Sequence, residues 1–390
     1  MAPTNSYDTI PADPTMPIKV MTLLGTRPEV IKLSRVIAEL DRRVSHVLAH
    51  TGQNYDYELS QVFFEELGIR KPDHFLDCAG QTAAETIGNV IIRADRILAK
   101  EKPDALLLLG DTNSCLAVIA AKRRKIPVFH MEAGNRCFDE RVPEEINRRL
   151  VDHASDINLV YTEHARRYLL AEGLRPETVI KTGSPMNEVL QHYGPRIRRS
   201  RILGKLGLAP SRYLVVSAHR EENVDNPRNL RGFLDSLDAA AQRYGRKIIV
   251  STHPRTRARL AGIKRHARSA KIEFLKPLGF LDYVKLQMNA WCVLSDSGTL
   301  TEESSLLGFP AVMIRQAHER PEGMDEAAVI MADLKPARVL DAIDLAVAHC
   351  AGRKPPFRTV ADYTADNVSR KVARIILSYT DYVNRTVWRR

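Results

Sequence analysis

The sequence lacks the short motifs that mark several common enzyme classes. It has no G-x-G-x-x-G turn and no G-x-x-x-x-G-K-[ST] loop, so neither a dinucleotide fingerprint nor a P-loop is present. It also has no G-x-S-x-G nucleophile elbow. Redox chemistry through a nicotinamide is therefore disfavoured.

Cysteine and long apolar runs are also scarce. No apolar run approaches the ~18 residues of a membrane span, and we expect no membrane association. Residues 1–17 are rich in proline and polar residues without an apolar core, which predicts a flexible tail and not a signal peptide. Scattered single cysteines with no CxxC pair and no zinc-type spacing fit a reducing cytosol and predict a cytoplasmic protein without a metal site. They are Cys78, Cys115, Cys137, Cys292 and Cys350.

Length and charge narrow the class further. A chain of 390 residues is too long for one ordinary core, so two domains are expected. The formal net charge of +11 suits an anionic ligand, either a nucleotide or a nucleic acid. Because the basic residues are spread along the chain, nucleic-acid binding is the weaker alternative and we expect no nucleic-acid partner.

Apolar strands alternate with helical patterns in two series, which predicts βαβ units and parallel sheets. The fold class is therefore α/β, with two doubly wound Rossmann-like domains facing a cleft. The predicted strands lie at 18–24, 46–50, 105–109, 128–131 and 157–160, then at 213–217, 247–251, 272–275, 292–294 and 311–314. The predicted divisions are the tail 1–17, a first domain 18–186, a bridging helix 187–206, a second domain 207–364, and a C-terminal helix within 365–390 that crosses back to the first domain.

Residues 130–148, HMEAGNRCFDERVPEEINR, are the centre of the candidate site. A strand that ends in Glu132 and breaks at Gly134 places this acid at the carboxyl edge of a sheet, where open α/β folds bind ligands. Pro143 fits the first turn of a helix, with Glu144 at its positive end. A solvated acidic loop is the alternative, but the interleaved arginines favour a site.

Two other turns in the first half carry candidate residues. The stretch GTRPEVIK at 25–32 offers Arg27 and Lys32 to an anion above the sheet, unless it is an ordinary exposed turn. In GDT at 110–112, Asp111 either caps the next helix or projects into the cleft beside Glu132.

The second series ends its strands in similar stretches. SAHREEN at 217–223 places His219 and Arg220 at a strand end. THPR at 252–255 also follows a strand with a histidine and an arginine, and it is the weaker candidate for a site. DSGTLTEE at 296–303 joins a strand to a helix, where free N–H groups favour a phosphate and a glutamate suits a ribose diol. A plain helix cap is the alternative there. HERPE at 318–322 adds Arg320 near the same edge.

Taken together, these stretches closely resemble the non-hydrolysing UDP-N-acetylglucosamine 2-epimerases. The resemblance implies a fold like the GT-B glycosyltransferases, with the active site in the interdomain cleft. It also implies inversion of C2 of a UDP-2-acetamido sugar, through elimination of UDP and its return to a 2-acetamidoglycal. The matching stretches are GTRPEVIK, GDT, EAGNR, PEEINR, SAHREEN, DSGTLTEE and ERPE.

The resemblance also implies roles for individual residues, with a UDP-sugar as the substrate, no metal or other cofactor, and a homodimer. The implied catalytic set is Asp111, Glu132, Glu144 and His219. The implied substrate contacts are Arg27, Lys32, Arg136, Arg220, Ser297, Gly298, Thr299 and Arg320, with Glu303 at the ribose and Leu278 and Tyr283 near the uracil.

Departures from the family pattern suggest a subgroup. Thr299 replaces a usual glycine, and QNYDYEL at 53–59 differs from the motif that helps bind an activating UDP-sugar, so activation is not expected. The variants look like those of capsule or O-antigen pathways, where the substrate can be a 6-deoxy-L-hexosamine leading to UDP-N-acetyl-L-fucosamine. A GT-B glycosyltransferase is the alternative from another enzyme class.

Overall fold

The fold is taken from a computed structural model that describes residues 18–52, 57–252, 254–261, 269–317, 319–350 and 357–390. The predicted tail 1–17 lies outside the described residues. The same holds for residues 53–56 of the QNYDYEL stretch, for position 253 of THPR and for position 318 of HERPE.

The first sheet has seven parallel strands in the order β3-β2-β1-β4-β5-β6-β7. All five residues of β4, ALLLL, are buried, because helices cover both faces of the sheet. Leu107 and Leu109 pack on one face, while Leu106 and Leu108 pack on the other. The strands are β1 Lys19–Leu24, β2 Ser45–His50, β3 His74–Phe75, β4 Ala105–Leu109, β5 Val128–Ala133, β6 Ile157–Val160 and β7 Val179–Lys181.

The second sheet has six parallel strands in the order β10-β9-β8-β11-β12-β13, with a core of its own. Its strands are β8 Tyr213–Ser217, β9 Lys247–Ser251, β10 Ile272–Leu275, β11 Cys292–Ser295, β12 Ala311–Ile314 and β13 Ile330–Ala332. The prediction of an α/β protein with two doubly wound, Rossmann-like domains is confirmed.

The helices connect successive parallel strands, as a parallel sheet requires. Apolar positions at helical spacing put one face of each long helix on a sheet. The helices are α1 Arg27–Arg43, α2 Tyr57–Leu67, α3 Ala83–Glu101, α4 Val118–Arg123, α5 Pro143–Ala154, α6 Glu163–Ala171, α7 Met186–Arg199, α8 Ile202–Lys205, α9 Glu221–Val224, α10 Pro227–Tyr244, α11 Pro254–Ala261, α12 Phe280–Asn289, α13 Thr299–Leu307, α14 Pro321–Asp325, α15 Pro336–His349 and α16 Val368–Thr386.

Each sheet reverses its winding at one point, between β1 and β4 in the first sheet and between β8 and β11 in the second. Ligands of doubly wound folds bind at such switch points, beyond the carboxyl ends of the strands. The loops that follow these four strands are GTRPE, GDT, SAHRE and DSGT. The topology therefore gathers four of the candidate stretches at two switch points.

The chain passes between the domains twice. The single bridging helix predicted at 187–206 is wrong, because the structure divides it into α7 and α8. Ser200 makes the break, since its hydroxyl contacts Asp282 at 2.5 Å and accepts the N–H of Ile202 at 3.2 Å. The chain returns through α16, where Val372 and Ile376 join the same apolar cluster as Leu33 of α1.

Three short strands were not predicted, namely β3, β7 and β13 at the edges of the two sheets. With two or three residues each, they are too short for an apolar alternation to identify them. Within the described part of the chain, no helix combines the length and apolar character needed to cross a membrane.

Candidate active site

The two switch points face each other across a pocket between the domains. Residues of the first domain and of α7 form one wall, and residues of the second domain form the other. The lining residues are Arg27, Pro28, Ile31, Lys32, Phe63 and Met186 on the first wall, and Ser217, His219, Ser251, Pro277, Leu278, Phe280, Tyr283, Ser295, Ser297, Thr299 and Glu303 on the second. Eight of the predicted site residues therefore line one pocket.

His219 is held by Asp296, which is buried at the end of β11. One carboxylate oxygen of Asp296 accepts the backbone N–H groups of His219 at 2.9 Å and of Arg220 at 3.0 Å, and the other lies 3.0 Å from His219 Nδ1. Burial alone would raise the pKa of Asp296, but His219 and these hydrogen bonds lower it below its usual range. The carboxylate thus fixes the orientation of the imidazole, which is one-third exposed to the cleft.

Glu132 lies at the end of β5 in a strained backbone conformation, with φ at +62° and a register shift against β6. Its carboxylate lies 2.7 Å from Lys32 Nζ and 2.5 Å from Arg320 Nη2. Burial would raise the pKa of Glu132, but these two cations outweigh it and lower the pKa to about 2. Glu302, fully buried, lies 3.2 Å from Arg320 and 3.6 Å from Lys32, so the two acids share two cations across the domains.

A second chain of charges runs beside the first and also crosses the cleft. Asp111 lies 2.7 Å from Arg148, which lies 3.6 Å from Glu319. Arg220 extends this chain of alternating acids and bases, because it lies 3.7 Å from Glu319 and 3.8 Å from Glu144. Burial and then the nearby Asp111 carboxylate raise the pKa of Glu144 above its usual range. This acid therefore differs from Glu132 in its readiness to hold a proton.

One end of the pocket suits a nucleoside. Arg27 stacks over Phe63 at 5.5 Å, and the Tyr283 hydroxyl donates to Ser217 Oγ at 3.1 Å. Glu303 accepts a hydrogen bond from Gln287 at 2.6 Å, and burial raises its pKa to about 7. Leu278 adds an apolar wall beside them. Ser297 and Thr299 at the N-terminus of α13 line the pocket, with Gly298 as the N-cap between them.

Arg136 is not among the residues that line this pocket, and its predicted place among the substrate contacts stays a prediction. The turn at Gly134 directs it behind β5, where its guanidinium binds Asp152 at 2.7 Å and pairs with both oxygens of Glu172. The side chain is fully buried among these partners. These charge-assisted hydrogen bonds hold the guanidinium against Asp152 and Glu172.

Sequence reasoning also missed residues that the structure places at the site. Tyr161 is fully buried directly after β6, with its ring 5.6 Å from Lys32 Nζ and 5.7 Å from the guanidinium carbon of Arg320. The sequence signal that could have identified Tyr161 is its position directly after a strand, at the same edge of the sheet as Glu132. Glu302 and Glu319 stood inside quoted motifs, but nothing local distinguished Glu302 from an ordinary first-turn acid or Glu319 from an ordinary loop acid.

The fold and the pocket define a two-domain α/β enzyme with its acidic and basic groups in an interdomain cleft. The family model described as UDP-N-acetylglucosamine 2-epimerase matches residues 38–377. The chain belongs to this family, and the family prediction is confirmed. It is accordingly an epimerase, with the GT-B-like fold of its relatives.

Solved structures agree with this assignment. The UDP-N-acetylglucosamine 2-epimerase from Rickettsia bellii superposes with a TM-score of 0.89 at 54% identity, covering 96% of this chain and all of that one. The UDP-GlcNAc 2-epimerase from Methanocaldococcus jannaschii, in complex with UDP-GlcNAc and UDP, gives 0.86 at 31% identity, covering 93% of this chain and all of that one. A UDP-2,3-diacetamido-2,3-dideoxy-D-glucuronate 2-epimerase from Pseudomonas aeruginosa is 34% identical over 77% of this chain and 84% of its own length.

Proposed function

We propose that this protein inverts C2 of a UDP-2-acetamido sugar, with UDP-GlcNAc and UDP-ManNAc as the first pair to test. The reaction proceeds by anti elimination of UDP and its re-addition to a 2-acetamidoglycal. It serves the synthesis of a surface polysaccharide, and it needs no metal and no redox cofactor.

The chemistry demands two kinds of group at one place. The hydrogen on C2 has no adjacent carbonyl to acidify it, so the anomeric C–O bond must loosen first and develop positive charge at C1. The departing diphosphate then needs cations and helix-end N–H groups. The proton must leave one face of the sugar and return on the other, which requires at least two acid/base groups.

The observation that carries the proposal is the meeting of acids and cations across the domains. Glu132 contacts Arg320, and Glu144 lies 3.8 Å from Arg220. Asp111, Glu132, Glu144 and His219 form the proposed proton-transfer set. Lys32, Arg320 and the α13 N-terminus would receive the diphosphate.

The differences in proton affinity support a division of labour among the acids. Glu132 is ionised between Lys32 and Arg320 and can accept a proton, although its lowered pKa makes it a weak base while both cations contact it. Glu144, whose pKa is raised, holds a proton more readily and suits its return. A diphosphate that draws Lys32 and Arg320 away from Glu132 would increase the basicity of this carboxylate as the leaving group binds.

The nucleoside end supports UDP as the leaving group. Glu303 can accept hydrogen bonds from a ribose diol, and Arg27, Leu278 and Tyr283 form the walls around a planar base. Because these proposed contacts serve the nucleotide, the sugar is the part of the substrate that can vary among relatives.

Incubation of the protein with UDP-GlcNAc in deuterated water tests the proposal. We expect UDP-ManNAc to form and deuterium to enter C2 of both isomers, followed by NMR. The absence of both, with turnover of a UDP-2-acetamido-6-deoxy-L-hexose under the same conditions, would assign the enzyme to UDP-N-acetyl-L-fucosamine synthesis. Release of UDP only when an acceptor sugar is added would indicate a glycosyltransferase.

The relative from Pseudomonas aeruginosa gives a reason to extend the panel of substrates. Its name specifies a 2,3-diacetamido-glucuronate carried on UDP, so a UDP-2,3-diacetamido sugar belongs in the assay. Each substrate should be compared by kcat/KM, because this ratio measures discrimination in the transition state.

A further inference from the structure

Behind the proposed catalytic acids lies a buried group of charges that the reaction itself does not use. It consists of His130 on β5, Asp152 on α5, and Arg136 in the loop after β5. All three side chains are fully buried. Glu172 and His153, at 3.0 Å from each other, close the group at the protein surface.

The group contacts two glycine turns. His130 Nε2 lies 2.7 Å from the carbonyl oxygen of Gly110, and an Asp152 oxygen accepts the N–H of Gly134 at 3.1 Å. Both glycines have φ at +79°, a conformation that L side chains rarely adopt. A Cβ at Gly134 would also lie only 2.5 Å from the carbonyl oxygen of Ala165.

Each of these turns carries a proposed proton-transfer acid. Asp111 directly follows Gly110, and Glu132 precedes Gly134 by two residues. Glu132 itself has φ at +62°, so its direction depends on neighbours that hold the strained backbone. The backbone N–H of Gly110 donates to the carbonyl of Met131 at 2.9 Å, which joins the two turns directly.

The protonation of His130 follows from its partners. A carbonyl oxygen only accepts, so Nε2 carries a hydrogen towards Gly110. Nδ1 lies 2.9 Å from a carboxylate oxygen of Asp152, and a bare lone pair there would be repelled. Burial lowers the pKa of His130, but Asp152, the Gly110 carbonyl and the more distant Asp111 outweigh burial and raise it. Arg136 supplies a permanent positive charge between Asp152 and Glu172.

We infer that His130, Asp152 and Arg136 are positioning residues that hold the two glycine turns and thereby aim Asp111 and Glu132 at the substrate. The inference rests on the proposed function. These residues touch no substrate, so they should affect the rate of the chemical step and leave nucleotide binding alone. A displacement of about 1 Å at reacting groups can cost about 10²-fold in rate.

His130→Gln is the first test, because one side-chain amide can donate a hydrogen bond to the Gly110 carbonyl or to Asp152, but not to both. We expect kcat to fall at least about tenfold, with KM for the UDP-sugar and the Kd of UDP changed less than about twofold. The Kd is measured by calorimetry on the full chain. A kcat equal to that of the wild type would overturn the inference, and so would a loss confined to KM.

His50→Gln is a matched control. His50 is a buried histidine at the end of β2 in the same sheet, and its Nδ1 accepts the N–H of Gly52, whose φ is +63°. That turn carries no proposed catalytic residue. We expect this variant to lose thermal stability as His130→Gln does while keeping its kcat. An equal fall of kcat in both variants would indicate a general loss of packing and refute the inference.

A second pair keeps the test decisive if His130→Gln does not fold. Arg136→Met removes the cation between Asp152 and Glu172, whereas Arg136→Lys retains a charge there. We expect the Met variant to lose kcat at unchanged Kd for UDP, and the Lys variant to recover part of it. A rise in KM and in the Kd of UDP would make Arg136 a substrate contact after all. Failure of the wild type to exchange C2 hydrogen would refute the proposed function instead.

Discussion

Glu132 and Arg320 come from different domains, yet a guanidinium nitrogen of Arg320 lies 2.5 Å from a carboxylate oxygen of Glu132. The two residues are 188 positions apart in the chain. Glu302 and Lys32 complete the cluster, which is almost fully buried. The cluster joins Glu132 and Lys32 of the first domain to Glu302 and Arg320 of the second, and the predictions below include tests of this contact.

We expect Asp111→Asn and Glu132→Gln to lower turnover by about 10²-fold or more, since each removes a group proposed for proton transfer. The Kd of UDP should change little in Asp111→Asn, because Asp111 pairs with Arg148 and not with the proposed diphosphate cations. In Glu132→Gln the Kd should fall, since the variant frees Lys32 and Arg320 for the diphosphate. Deuterium exchange at C2 and calorimetric titration with UDP measure the two effects. Asp139→Asn is the control, as this acid pairs with the exposed Arg141 and should keep its turnover. Normal turnover in the first two variants would remove both residues from the catalytic set.

Arg320→Met should reduce the free energy of unfolding by about 3–5 kcal/mol, because it leaves the buried Glu302 and Glu132 with Lys32 as their shared cation. Chemical denaturation at neutral pH measures the loss. Arg141→Met removes an exposed surface ion pair, which solvent screens and which should contribute little to stability. Equal losses in the two variants would mean that the interdomain cluster adds no more than a surface pair does.

Tyr161→Leu should raise KM for the UDP-sugar roughly thirtyfold, since a desolvated cation–π contact contributes about 2 kcal/mol. Without the ring, Lys32 and Arg320 lose the surface that fixes their distance from Glu132. Tyr161→Phe keeps the ring and should keep KM close to that of the wild type. Steady-state kinetics of both variants decides, and a similar KM for Leu and Phe would argue against a role of the ring.

Glu303 predicts a pH dependence of stability. Its pKa of about 7 in the folded protein lies above the value of about 4.3 for an unfolded chain. Between these values the folded state binds more protons, so Glu303 makes stability fall as pH rises from about 4.3 to about 7. Above that range the loss is complete and constant.

The matching variant is Glu303→Gln, which does not titrate but can still accept the hydrogen bond from Gln287. Thermal unfolding should be measured between pH 5 and pH 8, roughly the window of this shift. The stability of the variant should rise relative to that of the wild type as pH rises. Glu29, whose pKa burial also raises to about 7, is present in both proteins and cancels in the difference. A constant difference across the range would exclude Glu303 as the titrating group.

The sequence by itself determined most of the secondary structure. Strands β4, β6, β8, β9, β10 and β12 have the predicted bounds, because short apolar runs end at glycine or polar residues and leave little choice of length. It also determined which stretches carry chemistry, since polar residues directly after parallel strands must lie at one edge of a sheet.

Tertiary structure alone decided the partners of each side chain. Arg136 and Arg148 stand in the same acidic stretch with no local difference, yet one pairs with Asp152 behind the sheet and the other with Asp111 beside the cleft. The strained φ of Glu132 and the position of Tyr161 under two cations likewise depend on elements that are distant in the chain. Charge and chemical type are properties of a residue, but burial and the choice among equivalent partners come only from the packing of the two domains.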